Sequence, residues 1–378
     1  MIEIKEMRTP SELKTFVKFP FLLYKNEPHW VPPIINDELE SMDAKKNPVF
    51  NNAQAQFFLA YKDNKPVGRI AAIINHIEVK EQGKPKMRFG WFDVIDDIDV
   101  TKALLHTVSE IGKSNQLEYL EGPVGYSNME KAGILIEGFE YLNTMITWYN
   151  FPYYKDHFEQ LGFEKASEWV EFKIKIDTAE NQNPKVKKFA DIIAKRYDLK
   201  PLQFKTSNEI KPYVDEMFGL LNKTYNKLST FVPIQQYQID HYKEKYLKYI
   251  HPDFIKCVQD SKGKLVAFAI TMPSFSKALK KANGKLFPIG FYHLLKAKKK
   301  NSTAAFYLIG IDPEYQNKGV TAVIFQMMQD LFNKKGITDV ETNPELEENK
   351  AIQQLWKNYE HELHKRRRTY KKALTDIQ

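Results

Sequence analysis

Gln316-Asn317-Lys318-Gly319-Val320-Thr321 lies between an apolar run, Ala304–Ile311, and an amphipathic stretch that begins near Ala322. A strand that enters a tight loop and leaves as a helix is suited to bind an anion. The first helical N–H groups have no intrahelical partner, and the helix dipole places partial positive charge there. Gly319 lets the backbone approach a phosphate with no Cβ in the way. The amides of Asn317, Lys318, Gly319, Thr321 and Ala322 therefore read as a pyrophosphate cradle, with the Lys318 ammonium as extra charge and Gln316 and Val320 beside it. The competing reading is an ordinary strand-to-helix turn with a surface lysine. A second chemical stretch, GPVGYSNMEKAGILIEGFEY from Gly122, is too rich in glycine for a core helix and reads as a shaped loop. Its Asn128, Glu130 and Glu137 could face an amine; exposed loop acids are the alternative. There is no zinc-spaced His or Cys set, no Walker loop and no G-x-S-x-G, so no metal is expected. The single cysteine, Cys257, lies in an apolar strand pattern and reads as core.

The elements around these residues follow from periodicity. In the first half, Gln56–Asn75 reads as a hairpin turning at Asp63-Asn64-Lys65, Met87–Asp97 as a strand and Thr101–Gln116 as a helix. A strand ending at Gly122-Pro123, a helix over Tyr153–Gln160 and an alternating strand, SEWVEFKIKI, complete it. Residues 1–50, with an N-cap at Ser11 and the aromatic and proline clusters Phe19–Tyr24 and Trp30–Pro33, read as a wrap. Residues 177–187 are polar and lead into a helix over Pro184–Tyr197. Helices near 207–227 and 234–248 then precede a second hairpin turning at Asp260–Gly263. The opening strand, loop and helix follow, then GITDVETN as a strand, a helix over Glu347–Tyr359 and a last alternating strand, RRRTYKKAL, with outward basic residues. Hairpin, strand, helix, strand, helix, strand thus occurs twice, each time with one long insertion, 122–150 and 273–303. This repeat points to two similar α/β domains of α+β, mixed-sheet type: 1–176 with the wrap, a linker and connecting helix over 177–200, and 201–378.

The stretch from Ile311 to Thr321 resembles the acyl-CoA signature of the GNAT acyltransferase superfamily, Gln/Arg-x-x-Gly-x-Gly/Ala after a strand ending in Val/Ile-x-Pro. Gln316 and Gly319 match it, and Thr321 stands where Gly or Ala is usual. Asn349 to Trp356 keeps the superfamily's Asn-x6-aromatic spacing, with Trp in place of the usual Tyr and Glu360-His361 in place of Gly-Phe. The first half keeps Leu161-Gly162-Phe163 but has no Gln/Arg-x-x-Gly loop. Asp93, Asp96, Asp97 and Asp99 crowd the matching junction, where they would repel a pyrophosphate. Nearly the whole chain also resembles a bacterial family of tandem GNAT-like proteins that includes acyl-CoA-dependent ceramide synthases. The matching stretches are Trp30-Val31-Pro32-Pro33, Asn47-Pro48, Gly68–Ala72, Gly122-Pro123, Ser127–Glu130, Gly133–Phe139, Asn283–Pro288 and Arg368-x-Tyr370.

The resemblance implies two tandem GNAT-like domains, the first degenerate and the second binding acyl-CoA as substrate. It implies a strand that splays from its neighbour so that pantetheine lies along Ile309 and Ile311, with Gly310 at the required bulge and Asn349 and Trp356 beside the cofactor. The reaction is N-acyl transfer to an amine, which extends to a long-chain acyl group on a sphingoid or other lipid amine. Glu341 is the expected base and Asn343 orients the substrate. The superfamily's thiolate acid would stand at Trp356, which cannot serve, so Tyr359 or a water takes that role. Two other readings stay open: a non-catalytic acyl-CoA or lipid sensor, and an aminoacyl-tRNA-dependent transferase suggested by the basic run 364–372. A net charge of +8 suits CoA phosphates, anionic lipid or nucleic acid. The lysine-rich insertion 277–300 suits peripheral contact with a membrane, with a solvated helical pair as its alternative. No specific nucleic acid is expected. The charged N-terminus and the lack of a long apolar run lead to an expected cytoplasmic location, peripheral at the inner membrane face if 277–300 docks there.

Overall fold

In a computed structural model, which describes residues 1–127, 129–182, 184–245, 247 and 250–377 (main chain only at 351 and 358), alternating and apolar runs form strands and periodic runs form helices. The first half contains β1 (Ile2–Glu6), α1 (Pro10–Leu23), α2 (Ile35–Ser41), β2 (Ala53–Lys62), β3 (Lys65–Asn75) and β4 (Lys86–Val94). It continues with α3 (Ile98–Ser114), β5 (Tyr119–Gly122), β6 (Ile134–Glu137), α4 (Tyr153–Gln160) and β7 (Glu164–Lys175). Next come α5 (Pro184–Arg196), β8 (Lys200–Leu202), α6 (Ser207–Ile210), α7 (Val214–Tyr225), α8 (Gln236–Lys245), β9 (Ile255–Gln259) and β10 (Leu265–Pro273). Last are α9 (Ser276–Ala282), α10 (Gly290–Lys299), β11 (Thr303–Ile311), α11 (Val320–Lys335), β12 (Asp339–Thr342), β13 (Glu345–Leu346), α12 (Lys350–Gln353) and β14 (His361–Ala373).

Two compact units form. The first comprises Met1–Val170, Phe275–Leu295 and His364–Gln378. Its sheet runs β1-β2-β3-β4-β5-β14-β7, with β4 and β5 parallel over Lys86–Arg88 and Tyr119–Glu121. One face of this sheet carries Phe89, Leu104, Val108, Phe158 and Tyr370; Phe16, Val17, Phe57 and Leu59 belong to a second cluster under α1. The hairpin turns at Asp63 and Asn64 as expected, both with positive φ (52° and 60°), the conformation of a tight two-residue connection.

Several expectations are corrected here. The cap of α1 is Thr9, not Ser11: its hydroxyl accepts the Glu12 amide, and the Glu12 carboxylate accepts the Thr9 amide in return. The helix then runs through Pro20 to Leu23, so Phe19–Leu23 is helical and residues 2–6 form an edge strand. α3 begins at Ile98, ahead of the expected start at Thr101, with Asp97 as its cap. In β14 the basic residues do not all point outward. Arg367 is fully buried and donates to Trp148 O and Asn143 Oδ1, buried Lys365 donates to Leu142 O, and Arg366 and Arg368 pair with Glu168. These four cations are neutralised or solvated by the protein itself, so this run lends the tRNA reading little support.

The second unit comprises Glu171–Ser274 and Lys296–Leu363. Its sheet runs β7-β12-β11-β10-β9-β8, with β11 and β12 as the parallel pair. Cys257 is fully buried in β9, as its apolar surroundings predict, and burial pushes its thiol far up. α5 is more than a connector, since it packs along α11 within this unit.

Candidate active site

β11 and β12 pair in parallel only from Thr303 to Phe306 and from Asp339 to Thr342. The Asn343 amide then donates to Phe306 O (3.0 Å) and its side chain donates to Tyr307 O (2.9 Å), which ends the pairing. On the other side, Ile270 pairs with Leu308 and Thr271 with Phe306, so Tyr307 is the extra residue of a bulge. The bulge is therefore at Tyr307, not at Gly310; Gly310 is needed because a Cβ there would lie 2.5 Å from the Phe268 ring. Beyond the bulge, the β11 edge that parts from β12 has side chains on its carbonyls. Tyr225 OH donates to Ile309 O (2.8 Å), and Gln316 Nε2 donates to Ile311 O (3.3 Å). In an extended strand, N–H and C=O of one residue point to the same side. The amides of Ile309 and Ile311 therefore share this edge and can meet an extended, amide-bearing ligand.

At the end of β11, buried Asp312 caps the turn by accepting the Glu314 amide (3.0 Å) and pairs with Lys264 (2.9 Å) and Lys223 (3.2 Å). Burial pushes its carboxyl up, but Lys264, the Glu314 amide and Lys223 outweigh it and hold it below the ordinary carboxylate range. Asn317 and Gly319 both have positive φ, 62° and 78°, and Gly319 is the N-cap of α11. The Lys318 amide donates to Tyr315 O and the Ala322 amide to Gly319 O. Among the described residues, no backbone acceptor meets the amides of Asn317, Gly319, Val320 or Thr321. These four amides are open at the loop, whereas those of Lys318 and Ala322, also expected at the site, are engaged within it. The Lys318 ammonium lies over the Tyr197 and Tyr315 rings, 5.6 and 5.2 Å from their centroids. A Cβ at Gly319 would also press on α5, lying 3.1 Å from Ile193 and 3.2 Å from Phe189.

Beside the splay is a small apolar cavity of about 20 Å³, open to solvent, lined by Ile174, Phe306, Phe325, Val340, Trp356 and Tyr359 among others. The Trp356 indole packs on Phe306 and Phe325, and its Nε1–H donates to Glu345 Oε1 (2.9 Å). Glu345 is buried, and its Oε2 has no hydrogen-bond partner among the described residues. Burial pushes this carboxyl up to about 8, against the lowering effect of Trp356 and the nearby Thr342 hydroxyl. Its charge in turn adds to the burial that raises the Tyr225 hydroxyl. A carboxyl held near neutrality at the edge of a strand gap is suited to proton transfer.

No family model matches the chain. Protein YghO of Escherichia coli K12 is 28% identical over 98% of this chain and 95% of its own. The bacterial ceramide synthase of Caulobacter vibrioides is 24% identical over 99% and 98%. Among solved structures, a tandem GNAT protein from the clavulanic acid biosynthesis pathway superposes over 99% of both chains, with a TM-score of 0.56 and 10% identity. A GCN5-related N-acetyltransferase from Sphaerobacter thermophilus covers 99% of this chain and 96% of its own, with a TM-score of 0.52 and 8% identity. The chain has the GNAT-like acyltransferase fold.

The first unit carries the same GNAT features in altered form. β4 bulges where Trp91 and Phe92 oppose Ile70, Trp91 at a φ of 43°, and the Val124 amide donates to Phe89 O (2.7 Å) where β5 leaves β4. At the start of α3, however, the Asp97 carboxylate accepts the Asp99 amide (3.1 Å). A hydrogen bond to Lys62 is the main reason that carboxyl sits low. A carboxylate of the protein itself thus occupies the N-terminus of α3.

The expected site residues are only partly brought together. Ile309, Ile311, Asn343, Gln316 and the loop amides belong to the β11 edge. Glu341 lies inside the paired part of β12, between Ala305 and Lys173, and strand alternation turns it away from the cavity that Val340 lines. The helix expected over 347–359 is only α12, with Asn349 at its cap, followed by a tight turn over Gln354–Asn358. Tyr359 is then extended, near Phe325, with burial as the main cause that pushes its hydroxyl up to about 12. In the first unit, half-buried Glu130 accepts the Tyr126 amide (3.1 Å), and burial pushes its carboxyl up to about 7. Glu137 pairs with Arg366 (3.2 Å), Arg69 pairs with Asp93 (2.7 Å), and Asn128 lies outside the described residues. Glu345 and Tyr225 are absent from the sequence reading. The only local signal for Glu345 is an acid held between Pro344 and Leu346.

Proposed function

We propose that the protein is an acyl-CoA-dependent N-acyltransferase whose second unit binds the donor. The observation that carries this reading is the parted β11 edge running into a loop with four unengaged amides. Pantetheine would lie along Ile309 and Ile311, and the pyrophosphate would sit on the amides of Asn317, Gly319, Val320 and Thr321. The acceptor nitrogen attacks the thioester carbonyl, the C–N bond forms, and the C–S bond breaks to release CoA thiolate. Glu345, deprotonated, takes the ammonium proton that must leave first. The thiolate is protonated by Tyr359 or by water. Glu341, the base expected from the sequence, is displaced by Glu345 because it faces away from the cavity.

The relative named a ceramide synthase supports a lipid amine, of sphingoid type, as acceptor. The deciding experiment pairs a melting measurement with a thiol-release assay, using acetyl-, decanoyl- and palmitoyl-CoA against a panel of amines that includes sphinganine. A saturable stabilisation of about 2.7 kcal/mol is expected at a hundredfold excess of the right acyl-CoA over its Kd. Thiol should be released only when an amine is present. Stabilisation without release by any amine would make the protein a sensor; no stabilisation at any chain length would sink the reading.

A further inference from the structure

From Ser274 to Asn301 the chain has eight lysines and no aspartate or glutamate. α9 and the residues that join it to α10 are fastened to the first unit from one side. Leu279, Leu286 and Leu294 pack with Val31, Ile34 and Leu142; the Ile35 amide donates to Gly284 O, and Lys280 Nζ to Pro28 O. The other side is apolar and open. Phe287, Ile289, Phe291, Tyr292 and Leu295 are between 44% and 82% exposed, although they fall within nine residues of one another. Lys277, Lys281 and Lys285 are exposed in the same segment, and α10 itself ends in Lys296, Lys298 and Lys299.

Exposed aromatic and aliphatic side chains cluster this way at an interface rather than by accident. From these residues we infer that this segment docks on an anionic lipid surface. Phe287, Ile289, Phe291 and Tyr292 enter the boundary between head groups and acyl chains, and the lysines meet lipid phosphates. The charge selects this occupant. A second copy would bring a patch of the same sign against this one, whereas an anionic leaflet is complementary to it. The segment is held by buried Leu279 and partly buried Leu286 and Leu294, so the anchors are presented ready for contact. This inference goes beyond acyl transfer and does not depend on it.

The test is co-flotation of the full chain with vesicles of phosphatidylcholine alone or with roughly one third phosphatidylglycerol. The wild-type chain should bind the anionic vesicles about tenfold or more tightly than the neutral ones, and added salt should weaken that binding. Two variants, Phe287→Ser/Phe291→Ser/Tyr292→Ser and Lys277→Glu/Lys281→Glu, should each lose most of it. Both should keep the wild-type circular dichroism spectrum, because the altered side chains are exposed. Equal binding to neutral vesicles, or full binding by the triple serine variant, would overturn the inference. So would a stable dimer that the triple variant dissociates while vesicles capture nothing. Acyl-CoA stabilisation measured on the same variants separates this outcome from the fate of the acyl-transfer reading.

Discussion

Glu345 shows how one side chain can carry two opposed consequences of burial. Its carboxyl has an ordinary value of 4.5 and is raised to about 8 in the fold. A group raised in this way favours the folded state below its unfolded value and loses that contribution as pH rises toward 8. Glu345→Gln should therefore flatten the fall in melting temperature between pH 5 and 8, gaining on the order of a few kcal/mol at the alkaline end. If Glu345 is the base, acyl transfer should rise with pH through about 8. Glu345→Gln should then lower kcat by about 10²–10⁴-fold and leave acyl-CoA stabilisation in place. A variant with unchanged kcat and an unchanged pH profile would return the role to another group. Gly319 tests a different point. With φ at 78° and Ile193 3.1 Å from the position of a Cβ, Gly319→Ala should cost roughly 1–3 kcal/mol of stability, read from urea unfolding. Loss of acyl-CoA binding in that variant counts only after the fold has been shown intact.

Elements differ in how they handle charge. On β4 and the turn before it, buried Glu78 receives Arg88 (2.6 Å) and Lys86 (2.9 Å). Burial alone would raise this carboxyl, but the two cations outweigh it and bring it down to about 2. Its contribution is present above the unfolded value near 4.5 and is lost as pH falls toward 2. Glu78→Gln should leave two buried cations short of their partner and cost ~3–5 kcal/mol at neutral pH, measured by chemical unfolding. β14 makes a similar prediction. Arg367→Ala should cost about 3–5 kcal/mol, because its buried carbonyl and amide partners lose their donor. Arg366→Ala, at a partly exposed pair, should cost under about 1 kcal/mol. Equal costs would contradict the burial difference between these two arginines. From sequence, HKRRRTYKK shows a basic alternating strand but not which of its charges are inside. That depends on Glu168, Asn143, Leu142 and Trp148, some 200 residues away in the chain.

For the whole molecule, the two-fold recurrence of hairpin, strand, helix and strand was readable because each element is coded by neighbours in sequence. Apolar alternation, a turn at Asp63-Asn64 and a helix start after Gly319 need no distant partner. The same locality explains why the loop before α11 could be read as a candidate phosphate site, and why the acids crowded before α3 set the first half apart from it. Membership of the units was less accessible. Residues 275–295 and 364–378 belong with the first unit although they follow the second unit's first elements in the chain. If the first half has given up donor binding, exchanging its acidic α3 start should not alter acyl-CoA stabilisation. Asp97→Asn is expected to leave that melting shift within error of wild type, whereas a larger shift would show a second donor site. The amino-acid sequence by itself determined the repeat and the strand-loop-helix, since these rest on short-range periodicity and backbone preference, and its resemblance to the GNAT superfamily implied the fold. Only the tertiary structure decided that the bulge is at Tyr307, that Glu341 turns away and that Trp356 meets a raised Glu345. Those outcomes depend on register and on which side chains share a buried volume, and neither is encoded by spacing along the chain.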